Sequence, residues 1–130
     1  MGTMRALKSG LASEDMINAA VMDWAKAKKV DNFVIHIPNE GKRSFGYGKK
    51  LKQLGMRPGV SDLFVCMPKH SYHGAWIEIK SDEGRMRPEQ IKFHEDMMKQ
   101  NYYTRVTWGL DDTLLTLEWY CFHADNVKLF

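Results

Sequence analysis

The apolar positions of this chain follow two periods in turn. From Ser13 onward, Met16, Ile17, Ala20, Val21, Trp24 and Ala27 recur at helical spacing, so one face packs. Ser13 is a good N-cap, Glu14 and Asp15 suit the positive end of the helix dipole, and Lys28-Lys29 suit its far end. Phe33 to Ile37 reads as a short apolar strand stopped by Pro38. The pattern then breaks. Residues 39–59 are punctuated by Gly41, Gly46, Gly48, Gly55 and Gly59, with room for a short helix from Lys49 to Leu54. Two strand-like runs follow, Val60 to Met67 and Ala75 to Lys80, joined by the turn-rich Pro68–Gly74. Pro88 suits a first helical position, and Ile91, His94, Met97 and Met98 predict the buried stripe of that helix. Tyr102 to Trp108 predicts a further strand. Asp111 or Asp112 is placed to cap a last helix in which Leu114, Leu117 and Cys121 share a face. The order is α-β-(basic loop)-β-β-α-β-α, an α/β pattern without repeats or linkers, expected to form one domain over residues 1–130.

Composition narrows the class. Apolar residues at 44% and charged residues at 27% are ordinary for a soluble globular chain. No apolar run approaches the roughly 20 residues that span a bilayer, and no secretory signal is visible, so no membrane partner is expected. Cys66 and Cys121 are far apart without CxxC spacing, which suits a reducing cytoplasm rather than a disulfide scaffold or zinc module. Charge is uneven. Between residues 40 and 57, Lys42, Arg43, Lys49, Lys50, Lys52 and Arg57 face Glu40 alone, a local +5 in a chain of net +3, so the rest carries −2. Such a patch fits a polyanion partner, although a solvated surface loop has the same composition.

The candidate chemistry lies in the two central strands. Alternation puts Ile77 and Ile79 on one face of the second run and Glu78 and Lys80 on the other. A carboxylate and an amine on one strand face amid bulky apolar residues is not a surface pattern. Pairing the two runs as a hairpin brings Asp62 beside Glu78, and two acids and a lysine at one spot suit a hard cation with a water-activating group nearby. Plainer readings exist for each residue. Glu78 and Lys80 also fit an exposed edge-strand pair, Glu14 a dipole-compensating first turn, and Gln90 an N3 capping partner. His70 and His73 read as surface loop residues, and Trp76 and Trp108 as core.

The ordered combination is more specific than any of its parts. Ile37-Pro38-Asn39-Glu40-Gly41-Lys42-Arg43-Ser44, then Leu51-Lys52, Gly55 and Gly59-Val60-Ser61-Asp62-Leu63, then Trp76-Ile77-Glu78-Ile79-Lys80 and Pro88-Glu89-Gln90, resembles the VRR-NUC nucleases. These are the virus-type replication-repair branch of the PD-(D/E)XK superfamily. The resemblance implies a restriction-endonuclease-like mixed β-sheet flanked by helices and a metal-dependent endonuclease acting on DNA. It implies Asp62 and Glu78 as metal-binding acids, with the Ile79 carbonyl on the same Mg²⁺ (Mn²⁺ able to substitute). It implies Lys80 as the catalytic lysine, Glu14 closing the site from the first helix, and Gln90 supporting it from the helix that follows. Small stand-alone members, common in phages and prophages, imply a homodimer acting on branched DNA such as Holliday junctions, in a bacterial or phage-infected cytoplasm, with no small-molecule cofactor. Lys42, Arg43, Lys49, Lys50, Lys52, Arg57 and Arg87 would then contact phosphates, which positions DNA without reading its sequence. The apolar tail Val127–Phe130 fits either a contact with a second copy or a folded-back end. Two departures stand out: Ser61 where the family usually has Pro, and Arg87 where it often has a Ser cap. The competing readings are a non-catalytic nucleic-acid-binding module on the same fold, and a structural protein whose charges are merely solvated.

Overall fold

The structure, a computed structural model, describes residues 13–38, 45–125 and 128–129. Its organising strand is β3, Ala75–Lys80. Leu63–Val65 (β2) pairs with it antiparallel and Tyr103–Trp108 (β4) pairs with it parallel, while Val34–His36 (β1) lies antiparallel outside β2. The sheet order is β1-β2-β3-β4. A parallel neighbour needs a crossover, and Pro88–Lys99 (α3) supplies it between β3 and β4. Glu14–Ala27 (α1) precedes β1, Phe45–Gln53 (α2) lies between β1 and β2, and Gly109–Phe122 (α4) follows β4. The mixed sheet flanked by helices is the architecture that the alternating pattern predicts, with the basic loop holding a helix. Among the described residues no helix is long and apolar enough to cross a membrane.

Alternation along β3 divides the molecule. Ala75, Ile77 and Ile79 are fully buried and join Leu63 and Val65 in a core with Ile17, Val21 and Ala25 of α1 and Leu117, Tyr120 and Cys121 of α4. Each large aliphatic buried there contributes about 1.5–3 kcal/mol. Leu129 packs against the same core, so the chain folds back at that point; Val127 and Phe130 lie outside the described residues. On the opposite face, Trp76 stacks on Phe64 (ring centroids 4.4 Å apart) and meets Phe93 of α3 edge-on at 5.0 Å.

Three local expectations are corrected. Of the stripe expected on α3, His94 is buried, but Ile91 and Met98 are exposed and Gln90 turns inward in their place. The sheet face above it carries Glu78 and Lys80, so polar side chains turn inward. The last helix begins at Gly109, before either aspartate. Asp112 instead reaches back from the first turn to accept the Trp108 N–H (3.0 Å). His70 is no surface residue. With Ser71 it forms the tip of the β2–β3 hairpin, both at positive φ (55° and 69°), and that backbone is costly without glycine. Docking offsets the cost: the imidazole, 5% exposed, stacks on Trp119 at 4.2 Å and its Nε2 approaches the Tyr120 carbonyl at 3.1 Å, while Asp125 accepts the His70 N–H (2.8 Å). His73 is exposed, as expected.

Gly59 ties β2 to α3. Its φ is +87°, and a Cβ there would stand 2.3 Å from the Glu89 carbonyl oxygen. Backbone strain and backbone collision coincide, so Gly59→Ala is expected to destabilise the fold by about 2 kcal/mol. Thermal or urea unfolding measures it. A change below a few tenths of a kcal/mol would show that this approach is not needed.

Candidate active site

The β2–β3 register builds the site. Leu63 faces Ile77, so continuing the ladder by one residue places Asp62 opposite Glu78 on the face away from the main core. Asp62 lies one residue outside β2, and its side chain takes the place of the next rung: Oδ2 accepts the Ile79 N–H at 2.7 Å. In extended backbone a residue's N–H and C=O leave the same strand edge. The Ile79 carbonyl therefore faces the Asp62 edge as well.

Glu78 and Lys80 are 3% and 7% exposed, which excludes the edge-pair reading. Lys80 Nζ lies 3.3 Å from Glu78 Oε2. Gln90, at the third position of α3, connects them. Its Nε2 donates to Glu78 Oε2 (3.1 Å), and its Oε1 accepts from Lys80 Nζ (2.9 Å) and from the Arg87 N–H (2.9 Å). Two donors on one side and an acceptor on the other leave a single orientation for that amide. The Arg87 departure is thereby resolved. Arginine has no acceptor with which to cap α3, and Gln90 satisfies the N-cap N–H while holding the ion pair.

Burial raises the pKa of the Glu78 carboxyl to about 8, the Asp62 charge pushing the same way and Lys80 opposing. Burial also raises Asp62, against the Ile79 N–H and Lys80. The two carboxyl groups lie within hydrogen-bonding reach of each other. Neither carries a donor when ionised, and the buried Glu78 Oε1 has no hydrogen-bond partner. A buried acceptor with no donor, facing a second acid, is satisfied by a proton or a cation. Glu14 joins from α1, within electrostatic reach of the cluster: burial and the Asp62 charge raise its pKa, while Lys80 and the Ser81 N–H lower it. Among the described residues no three or more His, Cys, Asp and Glu form a ready-made ligand cluster. The available set is two carboxylates and a main-chain carbonyl, an all-oxygen set that fits a hard cation and leaves positions open.

The structure thus brings together Asp62, Glu78, Ile79, Lys80, Gln90 and Glu14. Lys42 and Arg43 lie outside the described residues. Lys49, Lys50 and Lys52 are exposed on α2, Arg57 is exposed beyond it, and Arg87 is exposed at the start of α3. Gly59, two residues after Arg57, touches the backbone of Glu89, so that loop is seated at the same helix end as Arg87. Sequence reasoning missed two hydrogen-bonded pairs beside the site. Ser61 Oγ and His94 Nε2 are 2.7 Å apart and buried, and burial lowers the His94 pKa. His36 Nδ1 donates to Asn18 Oδ1 (3.1 Å) and lies within electrostatic reach of Asp62. Both pairs join residues distant in sequence, and no local spacing announces them.

A mixed sheet flanked by helices, with acids and an amine meeting at one end of its central strand, defines a nuclease-type α/β domain. The model of the VRR-NUC domain matches residues 5–109, and the chain belongs to that family. A solved structure described as a "VRR_NUC domain protein" superposes with a TM-score of 0.77 at 28% identity, over 88% of this chain and 92% of that one. No curated protein matches this chain.

Proposed function

We propose that this protein is a metal-dependent endonuclease that hydrolyses DNA phosphodiester bonds, with branched DNA such as Holliday junctions as substrate and a homodimer as the acting form. The observation that carries the reading is the buried Glu78–Lys80 pair beside the half-buried Asp62, with the Glu78 Oε1 left without a donor. A structural domain gains nothing from such an arrangement, since an unsatisfied buried acceptor costs about 1–3 kcal/mol.

Hydrolysis forms a bond from a water oxygen to phosphorus, breaks one phosphorus–oxygen ester bond, and returns a proton to the leaving oxygen. Asp62, Glu78 and the Ile79 carbonyl are the residues that would hold the ion. When present, Mg²⁺, or Mn²⁺ in its place, supplies positive charge against the phosphate oxygens and acidifies water. Lys80, held by Gln90 on the Glu78 face, orients the attacking water or meets the phosphate charge. Glu14 faces the same space from α1. Lys42, Arg43, Lys49, Lys50, Lys52, Arg57 and Arg87 contact backbone phosphates, so recognition follows DNA shape rather than sequence.

The test is cleavage of labelled four-way junction, flap and linear duplex in Mg²⁺, Mn²⁺ or EDTA, alongside a sizing measurement. Metal-dependent cutting that favours the junction is expected. Binding that ignores EDTA and never leads to cutting would replace the enzyme with a binding module. For the basic stretch, neutralising Lys49, Lys50 and Lys52 together should lower the slope of log affinity against log salt by about 2–3. An unchanged slope removes α2 from the DNA path.

A further inference from the structure

Trp108 ends β4 on the same sheet face as the acidic cluster. It is the register partner of Lys80, and paired residues of neighbouring strands project to one side. Its indole is not core: it is 45% exposed. Nor is it loose. Nε1–H donates to the Gly84 carbonyl at 2.8 Å, and the Trp108 N–H is held by Asp112 at 3.0 Å. Gly84 in turn lies on the Lys80 stem, so close that a Cβ there would stand 3.1 Å from Lys80 Cβ and Cδ. Indole, Gly84 and lysine thus form a row beside the proposed reaction centre, with exposed Arg85 and Arg87 on the same connecting segment. Because Gly84 uses the one polar atom of the indole, the surface left to solvent is apolar ring carbon held in one orientation, and no aromatic ring among the described residues stacks on it.

We propose that this face is a stacking surface for an unpaired nucleobase next to the phosphate at the Lys80 end of the sheet. The inference rests on the nuclease reading and specifies its substrate. In a continuous duplex both faces of each base are already stacked on neighbours. An aromatic ring at the protein surface can stack only on a base that is extruded, terminal or displaced at a branch. Stacking tolerates every base, because each has a π face, so the contact selects for an unpaired nucleotide without selecting its identity. The ordered ring costs little entropy to use.

The test compares two DNAs of one sequence, fully paired or with one unpaired 2-aminopurine at the cleavage position, in wild type, Trp108→Leu and Trp108→Phe. Trp108→Leu should cut the unpaired substrate about tenfold less efficiently and the paired one within twofold of wild type. Trp108→Phe, which keeps a ring but gives up the Gly84 hydrogen bond, should retain most of the preference. A second measurement needs no turnover. In an Asp62→Asn background, binding should quench the 2-aminopurine, and adding Trp108→Leu should abolish the quench at unchanged melting temperature. Equal losses on both DNAs for the Leu and Phe variants, with the quench intact, would overturn the proposal and leave the indole as a brace for Gly84. If wild type cuts neither DNA in any divalent ion, the nuclease reading fails on its own, and the quench still decides whether a base stacks here.

Discussion

Asp62→Asn and Lys80→Ala are each expected to reduce DNA cleavage by at least about 10³-fold while leaving DNA binding in EDTA within a few-fold of wild type. The magnitude follows from removing a charge aimed at the reacting phosphate in a site shielded from water, where a single such group is worth about 10²–10³ and grouped residues act as a unit. The two substitutions differ in what they leave behind. Asparagine can still accept the Ile79 N–H that Asp62 accepts at 2.7 Å, so the turn into β2 survives and one negative charge is lost. Alanine at position 80 removes the cation 3.3 Å from Glu78 Oε2 and leaves a buried carboxylate with only Gln90 Nε2 for a partner. Part of its effect is therefore destabilisation, and Lys80→Met, which keeps the buried stem, separates the two. Rates measured at saturating Mg²⁺ on a four-way junction, with melting temperatures in parallel, settle the matter. Cleavage within tenfold of wild type in a well-folded Lys80→Met protein would remove the lysine from the chemistry.

The residues of that cluster were legible because strand periodicity is strict. Once Val60–Met67 and Ala75–Lys80 are paired, parity alone puts Asp62, Glu78 and Lys80 on one face, and the register of Leu63 with Ile77 makes the first two direct neighbours. Helix faces were less legible. Ile91 and Met98 fit an apolar stripe, yet the surface they would cover is polar, so of that stripe α3 keeps His94 inward and sets Gln90 beside it. Periodicity shows that a helix has a buried side, and the sheet beneath decides which side that is. His70 fails for a related reason. Its loop sequence carries turn signals, but the imidazole is captured by Trp119 and Asp125 about fifty residues later in the chain. Trp108 fails in the opposite sense, since an aromatic ending a strand promises burial and this one stops at the rim. The Ser61 departure has a physical account only in three dimensions. A proline there would shape the backbone before the acid, whereas Ser61 does so through a buried hydrogen bond to His94.

The metal-free protein is expected to lose stability as pH rises from 6.5 to 8, by about 2 kcal/mol, and a divalent ion should reverse the trend. In the unfolded chain Glu78 titrates at its ordinary value of 4.5; in the folded chain burial and Asp62 raise it to about 8. The folded state binds that proton more tightly, so this group's contribution is fully present below 4.5, declines as pH rises, and is gone above 8. His94 works against it at lower pH. Its folded value is depressed from 6.5 by burial, so its contribution is present above 6.5 and is lost as pH falls. The window above 6.5 therefore excludes His94 and leaves the acidic cluster, in which Asp62 and Glu14 are raised as well and Glu78 is raised to about 8. About 1.5 pH units at about 1.4 kcal/mol each gives the stated loss, equivalent to roughly 5–10 °C in melting temperature for a domain of this size. A cation at the same oxygens competes with the proton, so Mg²⁺ should stabilise little at pH 6 and progressively more toward pH 8. Glu78→Gln should flatten the EDTA curve and remove the pH-dependent Mg²⁺ stabilisation together. Melting curves in EDTA and in Mg²⁺ that stay parallel across this window would mean that proton and metal do not share the Glu78 carboxylate, and the site would lose its ion-binding role whatever the cleavage assays report.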